Sequence, residues 1–270
     1  QPPPDRPDAR PISIGEQDLR AILGQLVQDA TPSVLAHLAP VQVSCGVAGG
    51  VSIVVHGMRL MLELHPDWVI VRIDLRNAFN EVARAVMLRR FSEVPGLAHL
   101  VPLLHQLYGP ESSLVVGPEM EELFAGRGRR GSSEGGRQGM PEMPPAFCIA
   151  IHPEARALDA ELACVGGCAR FIMDDGYVVG PPSHVFPALE RFIYRLLVGP
   201  GTVAQRGKFE AYSPTFPLAD YEPLLELGAR VSTFTGPISP DGPPALGHGL
   251  LVGGVPLGDA VYVAQQLHVV

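Results

Sequence analysis

The segment FIMDDGYVVGP, from Phe171 to Pro181, is the part of this sequence from which we first predict the fold. Apolar residues precede and follow its Asp175-Gly176 pair, and an Asp-Gly pair between two such runs is among the strongest short-range signals for a β-hairpin. We predict strands over Ala169–Asp174 and Tyr177–Gly180. The carboxylates of Asp174 and Asp175 then lie at the tip of the hairpin.

A third aspartate ends another predicted strand, far earlier in the chain. The β-branched run WVIVRID, Trp68 to Asp74, has the length and composition of a strand, and Asn77 to Phe91 follows it with helical spacing of apolar residues. If this strand lies beside the hairpin, the Asp74 carboxylate approaches those of Asp174 and Asp175.

Three carboxylates that converge in this way repel one another and raise one another's pKa, so such a cluster is stable only where cations neutralise it. Oxygen ligands suit Mg²⁺ or Mn²⁺, and two such ions about 3.5–4 Å apart are the recurring arrangement for in-line phosphoryl transfer. We therefore predict that Asp74, Asp174 and Asp175 bind two divalent ions. Each motif alone has a simpler explanation, because acidic residues are common in surface turns and aspartate often caps a helix.

Helices are predicted on both sides of these strands, which makes the fold class α+β, with an antiparallel sheet that carries the acidic hairpin and is backed by helices. In the first predicted helix, the Thr31-Pro32 step is expected to divide the segment into two pieces. The segments with helical spacing of apolar residues are Glu16–Ala36, Val51–Leu64, Ala146–Leu162 and Val185–Val198.

Composition allows a sizeable core, because 46% of the 270 residues are hydrophobic. The net charge of −8 argues against a uniformly basic nucleic-acid binder, so positive charge would have to be local. The densest cluster is the glycine-rich stretch Gly126–Gly139, with Arg127, Arg129, Arg130 and Arg137. It predicts a mobile loop, which either contacts phosphates or is a flexible insertion.

Several other classes of protein have little support. Four irregularly spaced cysteines make neither a disulfide framework nor a zinc site, and we expect reduced, buried thiols in an intracellular protein, in the nucleus or the cytoplasm. Every apolar run is too short to span a bilayer. A hydrolase that uses His or Cys is not indicated either, since Gly-x-Ser-x-Gly is absent and no histidine lies in a nucleophile motif.

The two aspartate segments resemble motifs of reverse transcriptases of the non-LTR retroelement (LINE-like) type. VIVRIDLRNAFNEVARAVML, Val69 to Leu88, is similar to motif A, and FIMDDGYVVGP is similar to the acidic hairpin of motif C. The resemblance implies that Asp74, Asp174 and Asp175 are the metal ligands. It also implies that Phe79 is the steric gate that crowds the sugar 2′ position and selects deoxynucleotides.

Further segments resemble the same family in the right order. Arg137-Gln138-Gly139, followed by Pro141, is similar to motif B, which supports template and nucleotide, so Gln138 and Gly139 would contact them. The lysine of a motif D-like segment, Lys208, would protonate pyrophosphate. The remaining matches are RPISIGEQDLR (10–20) with the fingers, KFEAYSP (208–214) with motif D and LLVGGVPLG (250–258) with the primer-grip motif E.

The sequence also departs from the family pattern. Motif B usually continues Gly-Asp-Pro-Leu-Gly, whereas this chain has Gly-Met-Pro-Glu-Met at 139–143, and Ile172 stands where an aromatic residue is expected. Candidates for clamping the triphosphate are Arg10, Arg20 and Arg72, each of which is equally explained as a surface charge. Likewise Phe79 has an ordinary explanation as a core aromatic, Gln138 as a loop amide and Lys208 as an exposed lysine.

By this resemblance the chain is an RNA-directed DNA polymerase region that transfers nucleotides from dNTPs to a primer 3′-hydroxyl on an RNA or DNA template. We expect a proline-rich linker at 1–10, partial fingers at 11–66, a palm at 67–258 and a tail at 259–270, with the thumb missing or reduced. The alternative is a catalytically degenerate retroelement remnant with at most nucleic-acid binding, suggested by the altered motif B, the negative net charge and the short C-terminal tail.

Overall fold

The computed structural model describes residues 16–113, 131–238 and 242–268. This part of the chain is a mixture of helices and antiparallel strands around a five-stranded sheet, so the predicted α+β class is confirmed. The proposed linker at 1–10 and the candidate cation Arg10 lie outside the described residues, as do Arg127, Arg129 and Arg130.

Nine α-helices are described in these ranges: α1 (Gln17–Leu38), α2 (Gly50–Leu64), α3 (Ala78–Glu81), α4 (Arg84–Ser92), α5 (Val101–Tyr108), α6 (Met143–Ala163), α7 (Pro182–Val198), α8 (Glu222–Leu227) and α9 (Ala260–His268). The strands there are β1 (Val69–Ile73), β2 (Ser112–Ser113), β3 (Gly131–Ser132), β4 (Cys168–Ile172), β5 (Asp175–Gly180), β6 (Glu210–Tyr212), β7 (Arg230–Val231), β8 (Thr233–Pro237), β9 (Pro244–Val252) and β10 (Val255–Gly258).

The main sheet has the order β4-β5-β1-β6-β7, and β1 is its central strand. All neighbours are antiparallel except β6 and β7. Val69 pairs with Gly180 and Ile73 with Gly176, so the two predicted aspartate strands lie side by side. A separate three-stranded sheet has the order β10-β9-β8.

Both faces of the main sheet are covered. Successive side chains of a strand point to opposite faces, and Val69, Val71 and Ile73 belong to the larger core that includes residues of α1, α6 and α7. Ile70 belongs to a second core with residues of α2, β9 and β10. By the same alternation, Arg72 and Asp74 continue the Ile70 face toward the end of the strand.

Helix α1 differs from its prediction, because it runs without a break through Pro32. Proline removes one backbone donor and usually breaks a helix. Here the side chains of Ala30, Val34 and Leu38 are buried in the core on both sides of that position, and their packing outweighs the local penalty.

The segment after β1 is divided where a longer helix was expected. Helix α3 ends at Glu81, and Val82 and Ala83 have extended backbone angles before α4 begins. Val82 is fully buried, and its carbonyl accepts a hydrogen bond from the Gly135 N–H at 2.8 Å. A long-range backbone contact therefore uses the carbonyl at the break.

The acidic hairpin is present, but its turn lies two residues before the predicted one. Ile172 pairs with Asp175, so Met173 and Asp174 form the turn and Asp175 begins β5. Gly176 is inside the strand, where a Cβ atom would lie 2.7 Å from the Phe171 ring. Its small size is required for packing and not for the turn.

The helices that the structure describes are too short or too polar to span a lipid bilayer.

The cysteines only partly follow the expectation of buried thiols. Cys148 is buried, Cys45 and Cys168 are half-buried, and Cys164 is exposed.

A buried ion pair joins α4 to α6. Arg90 contacts both carboxylate oxygens of Glu154 at 2.5 and 2.7 Å and also donates to the Ala150 carbonyl. The side chains are only 13% and 8% exposed, so each charge depends on the other for the hydrogen bonds that water would otherwise supply.

We expect Glu154→Ala to lower the free energy of unfolding by about 3–5 kcal/mol, because it leaves the Arg90 charge buried without its partner. The matched control is Glu93→Ala, which removes an exposed partner of Arg89 at 4.0 Å and is expected to change stability by less than about 1 kcal/mol. Urea unfolding of both variants measures the difference, and equal effects would contradict this interpretation.

Candidate functional site

The three predicted acids, Asp74, Asp174 and Asp175, lie at one end of the strands of the main sheet, which we call the acidic edge. Because Ile73 pairs with Gly176, Asp74 leaves β1 next to the start of β5 at Asp175, and Asp174 is in the adjoining turn. Pairing beyond the strand continues on the other side, where Leu75 bridges Ala204. The register thus brings together at one edge the residues that the sequence separates by about a hundred positions.

Lys208 is brought to the same edge. The segment that precedes it runs along the end of β1, with the Gln205 N–H donating to the Asp74 carbonyl at 2.9 Å. Lys208 Nζ lies 4.0 Å from Asp74 Oδ2, and both side chains are partly exposed. A pair of this kind adds little stability, but it places an ammonium group beside the candidate acid.

Arg72 is the counter-ion of Asp175. Its guanidinium lies 3.2 Å from Asp175 Oδ1 and 3.8 Å from Glu210 Oε2. Burial alone would lower the pKa of Arg72, but Asp175, Tyr177 and Glu210 raise it above its usual value. The structure therefore uses this cation, a candidate triphosphate clamp, to neutralise carboxylates. Arg20, another candidate, is exposed on α1.

The turn between β4 and β5 is held from outside the hairpin. Met173 has a left-handed backbone with φ of 59°, which is unfavourable for a residue with a side chain. The buried amide of Gln42 accepts the Met173 N–H at 3.0 Å and donates to the Met173 carbonyl at 2.9 Å. Ser44 Oγ accepts the same N–H at 3.1 Å. Sequence reasoning missed Gln42, and its only signal is its place between Val41 and Val43.

Two thiols lie behind this turn. Cys148 Sγ is 3.9 Å from Met173 Sδ and 3.8 Å from Cys45 Sγ. Hydrogen bonding from Cys148, together with Ser44, lowers the pKa of Cys45. Burial raises the pKa of Cys148, and the charge of Asp174 adds to that increase.

The two glycines before the segment that resembles motif B contact α3 and the residue that follows it. The N–H groups of Gly135 and Gly136 donate to the carbonyls of Val82 and Phe79 at 2.8 and 2.7 Å. Gly135 has φ of 60°, and a Cβ atom there would lie 2.1 Å from the Asn80 backbone, so this approach requires glycine.

Phe79 and the Gln138-Gly139 pair are consequently on neighbouring segments. The ring of Phe79 is half-buried and lies 4.9 Å from that of Phe147, so it packs against the core. Gln138 is half-exposed, and Gly139 is exposed with φ of 102°, a conformation that favours glycine.

Glu142, the acid that this chain has near the position of the motif B aspartate, is a core residue. Glu142 is 4% exposed, and its carboxylate accepts a hydrogen bond from the Tyr108 hydroxyl at 2.5 Å. Burial and the Glu142 charge raise the pKa of Tyr108. Glu142 thus joins α5 to the start of α6 and is not presented to the acidic edge by these contacts.

The carboxylate oxygens of Asp74, Asp174 and Asp175 are donors that suit Mg²⁺ or Mn²⁺. Within residues 16–113, 131–238 and 242–268, however, no three His, Cys, Asp or Glu side chains are grouped so that they could hold a metal ion. The Asp175 contact with Arg72 is consistent with this, since it directs one of the three carboxylates toward a protein cation.

Comparison with known proteins shows similarity in structure only. No protein-family model matches the sequence, and none of the curated proteins matches it. Telomerase from Candida albicans, solved with a fragment of telomeric RNA, is similar with a TM-score of 0.51 and 13% identity over 74% of this chain. Apo telomerase from Candida tropicalis gives 0.52 and 10% over 73%.

This chain spans about a third of those telomerase chains, 35% and 36%. Telomerase is a polymerase related to reverse transcriptases, so the similarity supports a reverse-transcriptase-like fold. At these identities it carries no information on activity, and it does not support the non-LTR type over other members.

We expect Gln42→Ala to lower the free energy of unfolding by about 1–3 kcal/mol, because it leaves the Met173 carbonyl without its donor and the Met173 N–H with Ser44 Oγ alone. Gln25→Ala is the matched control, since that exposed amide bonds only Asp29 on the same helix, and its effect should stay within about 0.5 kcal/mol. Urea unfolding gives both values. A Gln42 variant as stable as the Gln25 variant would show that the amide does not hold the turn.

Proposed function

We propose that this chain is the palm-containing part of a reverse-transcriptase-like nucleic-acid polymerase. The observation that carries the proposal is the antiparallel register of β1 and β5, which places Asp74 beside the turn that bears Asp174. The telomerase-like fold supports it independently of the sequence motifs. The substrates would be dNTPs and a primer on an RNA or DNA template.

Asp74 and Asp174 would supply the protein's share of the metal ligands. Mg²⁺ is commonly bound by one or two carboxylates together with waters and substrate phosphates, so a preformed group of three side chains is not required. When bound, two such ions would activate the primer hydroxyl and stabilise the leaving pyrophosphate. Asp175 would complete the site by exchanging Arg72 for a metal ion.

Two further groups have positions that suit transfer of a nucleotide. The Lys208 ammonium beside Asp74 could give a proton to the departing pyrophosphate. Phe79 is the second residue of α3, and its carbonyl accepts a hydrogen bond from Gly136, two residues before Gln138. Its ring would limit the space for the sugar 2′ position.

Nucleic-acid binding is supported by the fold and opposed by the charge. The Candida albicans telomerase was solved with telomeric RNA, whereas this chain carries a net charge of −8. Electrostatic attraction to phosphates would therefore have to come from local clusters such as the arginines at 127–137 or from other parts of a longer protein.

A catalytically inactive relative is the second candidate. Two observations favour it, namely the Arg72–Asp175 ion pair and the use of Glu142 as a buried partner of Tyr108. Under this interpretation the fold is retained, the acidic edge is closed by protein cations, and at most nucleic-acid binding remains.

We expect Asp174→Asn to abolish template-dependent primer extension in Mg²⁺ or Mn²⁺, because an amide cannot replace the carboxylate charge at a metal site. Asp67→Asn, an exposed change that precedes the opposite end of β1, is the control and should leave extension unchanged. Unchanged activity in the Asp174 variant, at equal thermal stability, would rule out the proposed site.

Metal binding separates the two candidates without an activity assay. Calorimetry with Mn²⁺ should detect a site in the wild-type chain that is lost in Asp74→Ala and kept in Asp67→Ala, because Asp74, unlike Asp67, lies at the acidic edge. A wild-type chain that gives no binding heat, or an Asp74 variant that binds as well as wild type, would favour the inactive relative.

A further inference from the structure

Two cysteines far apart in the sequence meet behind the β4–β5 turn. Cys45 is in the connection between α1 and α2, and Cys148 is on α6, 103 residues later. Their Sγ atoms are 3.8 Å apart. Both are free thiols, and Cys148 is fully buried whereas Cys45 is partly exposed.

We propose that Cys45 and Cys148 are a modification site, at which a peroxide oxidant converts the two thiols to a disulfide. The sulfur atoms have to approach from 3.8 Å to a bonded length of about 2.05 Å. Cys45 belongs to a short connection and not to a regular element, so it can supply this movement while α6 keeps its place in the core.

The partial exposure of Cys45 decides the order of the reaction. Its sulfur attacks one oxygen of hydrogen peroxide, the O–O bond breaks, and the products are a sulfenic acid on Cys45 and hydroxide. The sulfur of Cys148 then attacks the Cys45 sulfur, forming the S–S bond and releasing the sulfenic oxygen as water. Two thiols and one peroxide thus give one disulfide and two waters, and the thiol protons end in water.

Oxidation would act on the turn through Ser44. Its hydroxyl lies 3.8 Å from Cys45 Sγ, 4.0 Å from Cys148 Sγ and 3.1 Å from the Met173 N. A hydrogen bond does not tolerate a displacement of the size that S–S bond formation requires. Ser44 therefore has to move when its neighbour moves, and the hydrogen bonds to Met173 change with it.

The other two cysteines provide an internal comparison. Cys164 is exposed and donates to the Ala160 carbonyl at 3.4 Å, as expected for a thiol at the end of a helix. Cys168 is half-buried in β4. If oxidation followed exposure alone, Cys164 would react first; if it follows the placement of a second thiol, Cys45 and Cys148 react together.

The test uses the whole chain, reduced and then treated with an equimolar amount of hydrogen peroxide. After the remaining thiols are alkylated, mass spectrometry of proteolytic fragments should find a peptide linked through Cys45 and Cys148, and dithiothreitol should remove the link. Cys164→Ser should form the same link, whereas Cys45→Ser and Cys148→Ser should not. Hydrogen exchange at the Met173 amide should be faster in the oxidised form.

A sulfenic acid that persists on Cys45 and is trapped by dimedone, with no linked peptide, would overturn the proposal. So would a link that involves Cys164 or Cys168, or one that joins two chains. Because peptide mapping of the wild-type chain decides the question, a Cys148 variant that fails to fold does not affect it. Thiol oxidation requires neither metal nor nucleotide, so the result is independent of polymerase activity.

Discussion

The pairing of β1 with β5 is the constraint on which the rest of the candidate site depends. Side chains alternate along a strand, so a slip of one residue would turn every side chain of β1 to the other face. Val69, Val71 and Ile73 are fully buried on the helix-packed face, and Ile70 is fully buried on the other. Burial on both faces therefore fixes the register, and the register fixes where Asp74 leaves the sheet.

The hairpin tip depends on contacts that are remote in the sequence. Strand pairing determines that Met173 and Asp174 form the turn, but the left-handed backbone of Met173 is held by Gln42 and Ser44. Those two residues belong to the connection after α1, which also pairs with Phe171. The sheet and this connection together therefore set the position of the Asp174 backbone. Their contacts explain how the two-residue turn between β4 and β5 has a defined geometry.

The sequence patterns predicted most of the helices and strands whose apolar residues have regular spacing. The strand at 68–74, the hairpin and the helices near 51–64, 146–162 and 185–198 were predicted from the spacing and type of their apolar residues. The errors arose where tertiary packing decides. Core packing carries α1 through Pro32, and the pairing of Ile172 with Asp175 places Gly176 inside β5 and the turn at Met173-Asp174. Gln42 and the Cys45–Cys148 contact had no usable signal, since each joins residues more than a hundred positions apart.

The two candidate functions differ in which cations neutralise the carboxylates at the acidic edge. Lys208 faces Asp74, Arg72 faces both Asp175 and Glu210, and Arg230 contacts Glu210 at 2.6 Å. These cations reduce the repulsion among the carboxylates, so the fold does not require a metal ion to be stable. A divalent ion at this edge would have to displace these protein cations, and it would bind most tightly where substrate phosphates supply additional ligands. An active polymerase would therefore bind a divalent ion without nucleotide and bind it more tightly with its nucleotide, whereas an inactive relative would keep the Arg72–Asp175 pair closed.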